Sequence, residues 1–367
     1  MKRREFVKAL GAGAALAGGL SACGDGEQAA GTAAGPRRNE TFSWKMVTTW
    51  PENFPGLGTG AARLADRITA MSGGRLRVKV YAAGELVPAL ETFDAVSRGT
   101  VELGHGAAYY WKGKAPAAQF FAAVPFGMNA QEMNAWLYYG GGIELWKKVY
   151  APFGIVPVPA GNTGVQMGGW FNKEIRQVAD LDGLRMRIPG LGGEVLERAG
   201  GVPVTLPGGE IFTSLKTGVI DATEWVGPWN DLAFGLHQAA KYYYYPGWHE
   251  AGSTLECLIN KAAFEQLPAD LQAVVTAACQ AINLDMLSEF TARNPDALAA
   301  LKNEHGVDVR PFPPEVMQRL QAISRDVVAD LAASDPLAKE VHDSYFAFFE
   351  KARAWHEVSE RAYFRMR

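Results

Sequence analysis

Between residues 221 and 250 the chain reads DATEWVGPWNDLAFGLHQAAKYYYYPGWHE, which gathers acids, indoles and a run of tyrosines into one short span. Glu224 falls in DATEWV, where Thr223, Trp225 and Val226 favour a strand that Gly227-Pro228 stops. Glu250 closes KYYYYPGWHE, read as a second strand with aromatic residues on both faces and therefore covered on both. An acid inside a strand and an acid at the end of a buried one each need a partner, because a buried unpaired carboxylate is costly or changes its pKa. A cation between them would serve both. The alternative is a pair of edge carboxylates resting in water or on backbone amides.

Further polar groups lie upstream. GNTGVQMGGWF places Gln166 among glycines, where backbone can approach closely and the amide can donate to or coordinate a ligand. LDGLRMRIPG holds Arg185 and Arg187 two apart on one face of a strand, so one reads as a surface charge and the other as a bidentate carboxylate clamp. Tyr109, Tyr110 and Trp111 follow the strand VELGHGA, at the place of a pocket wall or of ordinary core. Catalytic motifs are missing: the sequence has no Gly-x-Ser-x-Gly elbow, His-Glu-x-x-His, P-loop or Cys-x-x-Cys. GLGTG at 56–60 lacks the dinucleotide spacing and reads as a loop and helix start. His237 and His249 have no third ligand at zinc spacing, and strand alternation turns His249 away from Glu250, so both read as structural or exposed.

The elements that must position these groups begin after an export leader. Residues 1–22 combine a basic start, a short apolar run and small residues before Cys23; Arg3-Arg4 resembles a twin-arginine signal and Leu-Ser-Ala-Cys a lipobox whose cysteine carries lipid. Residues 23–40 then form a flexible tether. Cleavage removes Lys2, Arg3, Arg4, Lys8 and Glu5, so the formal net charge of −3 becomes −6. An acidic balance argues against nucleic acid as a partner. No later run reaches the roughly 18 apolar residues of a membrane span. The mature length, about 330 residues, exceeds what one core organises, so two lobes are expected. Cys257 and Cys279 read as two buried thiols.

From residue 44 strand and helix alternate: WKMVTTW, a helix at 58–71, RLRVKVY, a helix near 89–97 and VELGHGA imply a mostly parallel sheet with ligands at the C-terminal strand ends. A helix at 132–150, a second set of short strands with helices, and the strand STLECLIN follow. Helices at 262–305 and 314–333 and a final one capped by Asp335-Pro336 end the chain.

Taken together, LRMRIPG, GEVLERAGGVPVTLPGGEIFTSLKTGVIDATEWVGP and YYYYPGWHE resemble the solute-binding proteins of tripartite ATP-independent periplasmic (TRAP) transporters, and within them the branch that binds 2-oxoacids or lactate together with a metal ion. The resemblance covers essentially the whole mature chain. It implies an α/β, two-lobed periplasmic binding protein fold with hinge strands and long C-terminal helices spanning the lobes: lobe I at 41–163 plus 252–290, lobe II at 164–251 plus 291–310, and C-terminal helices at 311–367. It also implies that Arg187 clamps the ligand carboxylate, that Gln166 touches ligand and metal, and that Glu224, the main-chain oxygen of Trp225 and Glu250 bind the metal, with Tyr110 and Trp229 walling the pocket. Oxygen donors and the charge balance suit calcium, with sodium as the other candidate. No covalent chemistry is expected; the alternatives are another carboxylate, aromatic or sugar acid, and an enzyme acting on 2-oxoacids. The expected partners are the membrane permease and, through the aromatic final helix, a second copy of the chain.

Overall fold

A computed structural model describes residues 40–367; the leader, the lipobox Cys23 and the tether up to residue 39 lie outside the described residues. Eleven strands, β1 (Phe42–Thr48), β2 (Leu76–Tyr81), β3 (Leu103–Gly106), β4 (Ile155–Asn162), β5 (Gly169–Phe171), β6 (Arg185–Arg187), β7 (Val202–Val204), β8 (Ala222–Thr223), β9 (Tyr242–Tyr245), β10 (Thr254–Asn260) and β11 (Asp308–Pro311), form two sheets among these residues. The first runs β2-β1-β3-β10-β4 and the second β11-β9-β5-β8-β6-β7. Each is the core of one lobe of a two-lobed α/β fold.

The sheets are mixed where the alternation of elements implied mostly parallel ones. β1 pairs parallel with β2 and β3, but β10 enters between β3 and β4 antiparallel to both. In the second sheet β5 runs antiparallel to β8 and β9, while β6 is parallel to β7 and β8. The reason is that β10 and β5 each enter their sheet by direct loops and not by a helical crossover, which is the connection that enforces parallel pairing.

Local chemistry sets several boundaries. β9 ends at Tyr245 because Pro246 has no N–H to give the ladder. Its tyrosines are covered on both sides: Tyr243 stacks on Trp170 at 4.1 Å and Tyr244 on Phe312 at 4.8 Å. The helix expected at 132–150 is two, Ala130–Tyr139 and Gly142–Tyr150, because Gly141 takes φ +88° between them. Asn129 caps the first with a capping box to Glu132. The 35-residue helix Ala269–Asn303 packs on β4 and the helix Gly58–Met71 at the first sheet and on the short helix Pro228–Ala233 at the second. Helices Pro314–Ser334 and Pro336–Val358 follow, the latter capped by Asp335. No helix among the described residues is long and apolar enough to cross a membrane. Among the described residues Cys257 and Cys279 are free, and both are buried.

One acid lies deep in the first sheet. Glu256 of β10 is fully buried, and its Oε1 accepts from Trp111 Nε1 and, at 3.0 Å, from the Tyr150 hydroxyl. Burial pushes its pKa up to about 8, against the pull of those two donors. A carboxyl whose folded pKa is raised stabilises the fold fully below its unfolded pKa and loses that contribution as pH rises through the folded value. Glu256→Gln cannot titrate, so the melting temperature of the variant relative to the parent is expected to rise between about pH 5 and pH 8. A difference that stays constant across that range, measured by differential scanning calorimetry, would show that Glu256 does not titrate there.

Candidate functional site

The site begins with a register. β6 and β8 are parallel with Arg187 opposite Thr223, so the residue that follows β8, Glu224, emerges beside the arginine. Glu224 therefore sits just past a two-residue strand and not inside one, although its N–H still bonds Arg187 O at 3.2 Å. Both side chains are 1 % exposed, and Arg187 Nη1 donates to Glu224 Oε1 in a buried ion pair. The same Nη1 reaches Glu224 O at 3.3 Å, Nε reaches Leu206 O at 3.3 Å and Nη2 reaches the Tyr110 hydroxyl at 3.1 Å. The guanidinium also lies over the Trp225 ring at 5.0 Å. Burial would lower the Arg187 pKa, but Glu224, Tyr110 and Tyr109 more than offset it and the net shift is upward.

The second acid arrives by a turn. Gly247 donates to Gln166 O at 2.8 Å and Gln166 N to Glu250 O at 3.2 Å, which zips residues 247–250 against the stretch after β4. A Cβ on Gly247 would stand 2.5 Å from Gln166 O, so only glycine permits this approach. Gln166 Nε2 then donates to Glu250 Oε2 at 2.7 Å and to Thr163 Oγ1 at 3.1 Å. Burial first, and the charge of Glu224 second, push the Glu250 pKa up to about 7. The turn also corrects the reading of His249: outside a strand the alternation rule does not apply, and its Nε2 lies 3.4 Å from Glu224 Oε2. Donor atoms of Glu224, His249 and Glu250 all lie within 4.8 Å of one another, and all three residues are buried.

Several atoms around this point lack partners. Among the described residues, Glu224 Oε2, Gln166 Oε1 and both ring nitrogens of His249 are buried and make no hydrogen bond. Of the three successive carbonyls at 224–226, that of Glu224 takes Thr223 Oγ1 and Arg187 Nη1, that of Val226 takes the Met167 N–H, and that of Trp225 takes none among the described residues. Unpaired buried oxygens converging on two acids fit a hard cation, and their chemistry is that of a calcium or sodium site. Beside them lies a small pocket lined in part by Trp50, Tyr109, Tyr110, Gln166 and Trp225. Gly190 at φ +62° lets the helix after Arg187 pass close to Tyr109, whose Cβ a side chain at 190 would meet at 2.9 Å.

The structure thus brings together Gln166, Arg187, Glu224, Trp225, Glu250 and Tyr110. Trp229 is elsewhere: its ring packs edge-on against Phe290 at 5.4 Å, next to Gly56, and does not line the pocket. Sequence reasoning missed Trp50 and Thr163, which carry no motif, and set His249 aside; the Pro-Gly pair before it is the signal that a turn, and not a strand, presents it.

All the clustered groups stand at or beyond the C-terminal ends of β3, β4, β6, β8 and β9, drawn from both sheets, which is the geometry of a two-lobed ligand-binding protein. The family pattern of bacterial extracellular solute-binding proteins, family 7, matches residues 46–335, and the chain belongs to that family. It is 48 % identical over 320 residues, 87 % of either chain, to a monocarboxylate 2-oxoacid-binding periplasmic protein of Nostoc. It superposes on a TRAP periplasmic solute-binding protein from Colwellia psychrerythraea with bound calcium and pyruvate at TM-score 0.87 and 44 % identity, covering 89 % of this chain and 100 % of that one. A counterpart from Pseudoalteromonas atlantica with bound sodium and pyruvate gives TM-score 0.87 and 43 % identity over 89 % and 99 %. The protein is the solute-binding component of a TRAP transporter and not an enzyme.

Removing one member of a buried ion pair leaves the other charge uncompensated and typically costs about 3–5 kcal/mol, whereas removing both costs less than the sum. Denaturant unfolding of chelator-treated protein is therefore expected to show Arg187→Met and Glu224→Met each strongly destabilised, with the double variant recovering much of the loss. Additive losses would mean that the pair is not energetically coupled.

Proposed function

We propose that the protein captures a small monocarboxylate, a 2-oxoacid such as pyruvate or the related lactate, together with one divalent cation, and delivers it to the membrane permease. What supports this most is charge. Glu224, Glu250 and a ligand carboxylate bring three negative charges into a buried site that holds Arg187 alone as a permanent cation, which leaves two uncompensated. Calcium neutralises both and sodium only one. Relatives with bound pyruvate carry one ion or the other, and the charge balance here favours calcium. In it Gln166 Oε1, Glu224 Oε2, the Trp225 carbonyl and Glu250 hold the cation, which when bound supplies the charge that lets an anion enter. Arg187 takes the ligand carboxylate, with Gln166 and the Tyr110 and Trp225 side chains alongside.

The lobes are assigned as 41–163 plus 252–290 and 164–251 plus 291–310, with 311–367 lying across them, and closure brings Tyr110 of the first onto Arg187 of the second. The periplasmic location is that of the family, and Cys23 anchors the protein to a membrane through its lipid. The exposed Trp355, Val358, Tyr363 and Phe364 at the chain's end support a homodimer formed through that end.

Calorimetry on chelator-stripped protein separates the ions: pyruvate in sodium buffer is expected to bind weakly and, after added calcium, tightly. Full-strength binding in sodium alone would defeat the divalent assignment, and no binding with either ion would defeat the 2-oxoacid reading. Arg187→Ala is expected to cost at least about tenfold in pyruvate affinity with either ion, the worth of one charge-assisted hydrogen bond or more.

A further inference from the structure

Asp231 is as buried as Glu224, and none of the roles above uses it. It lies in the first turn of the helix Pro228–Ala233, 1 % exposed. Its Oδ2 accepts from Trp170 Nε1 of β5 at 3.0 Å and from the Tyr243 hydroxyl of β9 at 2.6 Å. Its Oδ1 faces the opposite way and accepts the Val226 N–H at 3.4 Å. That N–H belongs to the peptide plane whose other edge is the Trp225 carbonyl. A trans peptide is planar, so a group that fixes the N–H fixes the carbonyl pointing away from it. The Trp225 carbonyl is also the one of three in succession that no hydrogen bond among the described residues claims. A carboxylate behind the plane does more than an amide would: burial pushes the Asp231 pKa up to about 7 against the pull of its three donors, and above that pH its charge polarises the peptide and deepens the negative end at the oxygen. Burying a further acid near Glu224 is costly, and a contact needed only to join Trp170 and Tyr243 could be made by a neutral side chain.

We propose that Asp231 is a positioning residue for the cation: it holds the Trp225–Val226 peptide so that the Trp225 carbonyl is presented to the ion, and its charge strengthens that oxygen as a donor. The proposal rests on the metal site assigned above. Partners that orient a metal ligand from behind typically change affinity by about 10–100-fold when lost. In the mature full-length protein, Asp231→Asn keeps the shape and removes the charge.

Calcium titrated into chelator-stripped protein, followed by calorimetry, is expected to bind Asp231→Asn about 10–100-fold more weakly than the parent. Pyruvate affinity measured at saturating calcium is expected to be near that of the parent, a split that general damage to the site would not produce. Tyr243→Phe and Trp170→Phe remove the bonds to Oδ2 and leave Oδ1 facing Val226, so their calcium affinity is expected to stay within a few-fold of the parent. Equal calcium affinity in Asp231→Asn and the parent overturns the proposal. So does a loss of calcium affinity in Tyr243→Phe as large as in Asp231→Asn, since that makes the effect one of packing. A parent protein that binds calcium and pyruvate while Asp231→Asn matches it defeats only this inference; a parent that binds neither defeats the functional reading beneath it.

Discussion

The buried pair of Arg187 and Glu224 is the interaction on which the rest of the site depends. A guanidinium offers five N–H groups, and four directed contacts are already made here: Leu206 O, Glu224 O, Glu224 Oε1 and the Tyr110 hydroxyl. The side chain is thus held in one orientation by backbone from two neighbouring segments and a hydroxyl from the other sheet. Glu224, in turn, spends one oxygen on the arginine and leaves the second free. In the proposed site this division would let one carboxylate serve a fixed cation on one side and a bound one on the other. An ion pair alone would be weak evidence for stability, since desolvating both charges cancels most of the attraction. Its value lies in fixing geometry at a point where sheet register places the two residues side by side.

Around that pair the fold handles buried acids in distinct ways. Asp231 and Glu256 are surrounded by indole and tyrosine donors, which offset only part of the desolvation cost, so that burial still pushes their pKa values up to about 7 and about 8. Glu250 is met by the Gln166 amide, a neutral partner that leaves the carboxyl's pKa raised to about 7. The aromatic richness of this chain is therefore only partly a matter of apolar core. Trp170 and Trp111 supply N–H donors where a lysine would be too wet and a serine too short to reach across a sheet.

Much of this was legible from residues. The order of strands and helices follows hydrophobic period and Gly/Pro punctuation, and the acids at 224 and 250 stood out because each interrupts an apolar, β-favouring run. Strand direction was not legible, since β10 and β5 join their sheets after loops whose path no local pattern encodes. His249 was obscured because alternation was applied across Pro246-Gly247, where the strand had already ended. Glu256 was within reach of the same argument that found Glu224, being an acid inside the apolar strand STLECLIN, but no second charged group lies in that strand to draw attention. Asp231 could not be found this way: its partners Trp170 and Tyr243 come from two other strands, and only the sheet brings them to one carboxylate.

The contrast between these acids gives a physical test for which buried polar groups act and which only hold. Unpaired oxygens alone do not decide it, because Glu256 also leaves Oε2 without a partner. Convergence does. Glu256 joins no other acid or imidazole, whereas Glu224, His249 and Glu250 form one cluster, with Gln166 bonded to it and the Trp225 carbonyl following directly on Glu224. A single orphaned oxygen can be met by a proton, and burial pushes Glu256 in that direction. Several orphaned donors around one point cannot each be satisfied by protons without leaving N–H and O–H groups that themselves lack acceptors. One cation would satisfy them together, and that is why the cluster, and not any single residue within it, is the proposed site.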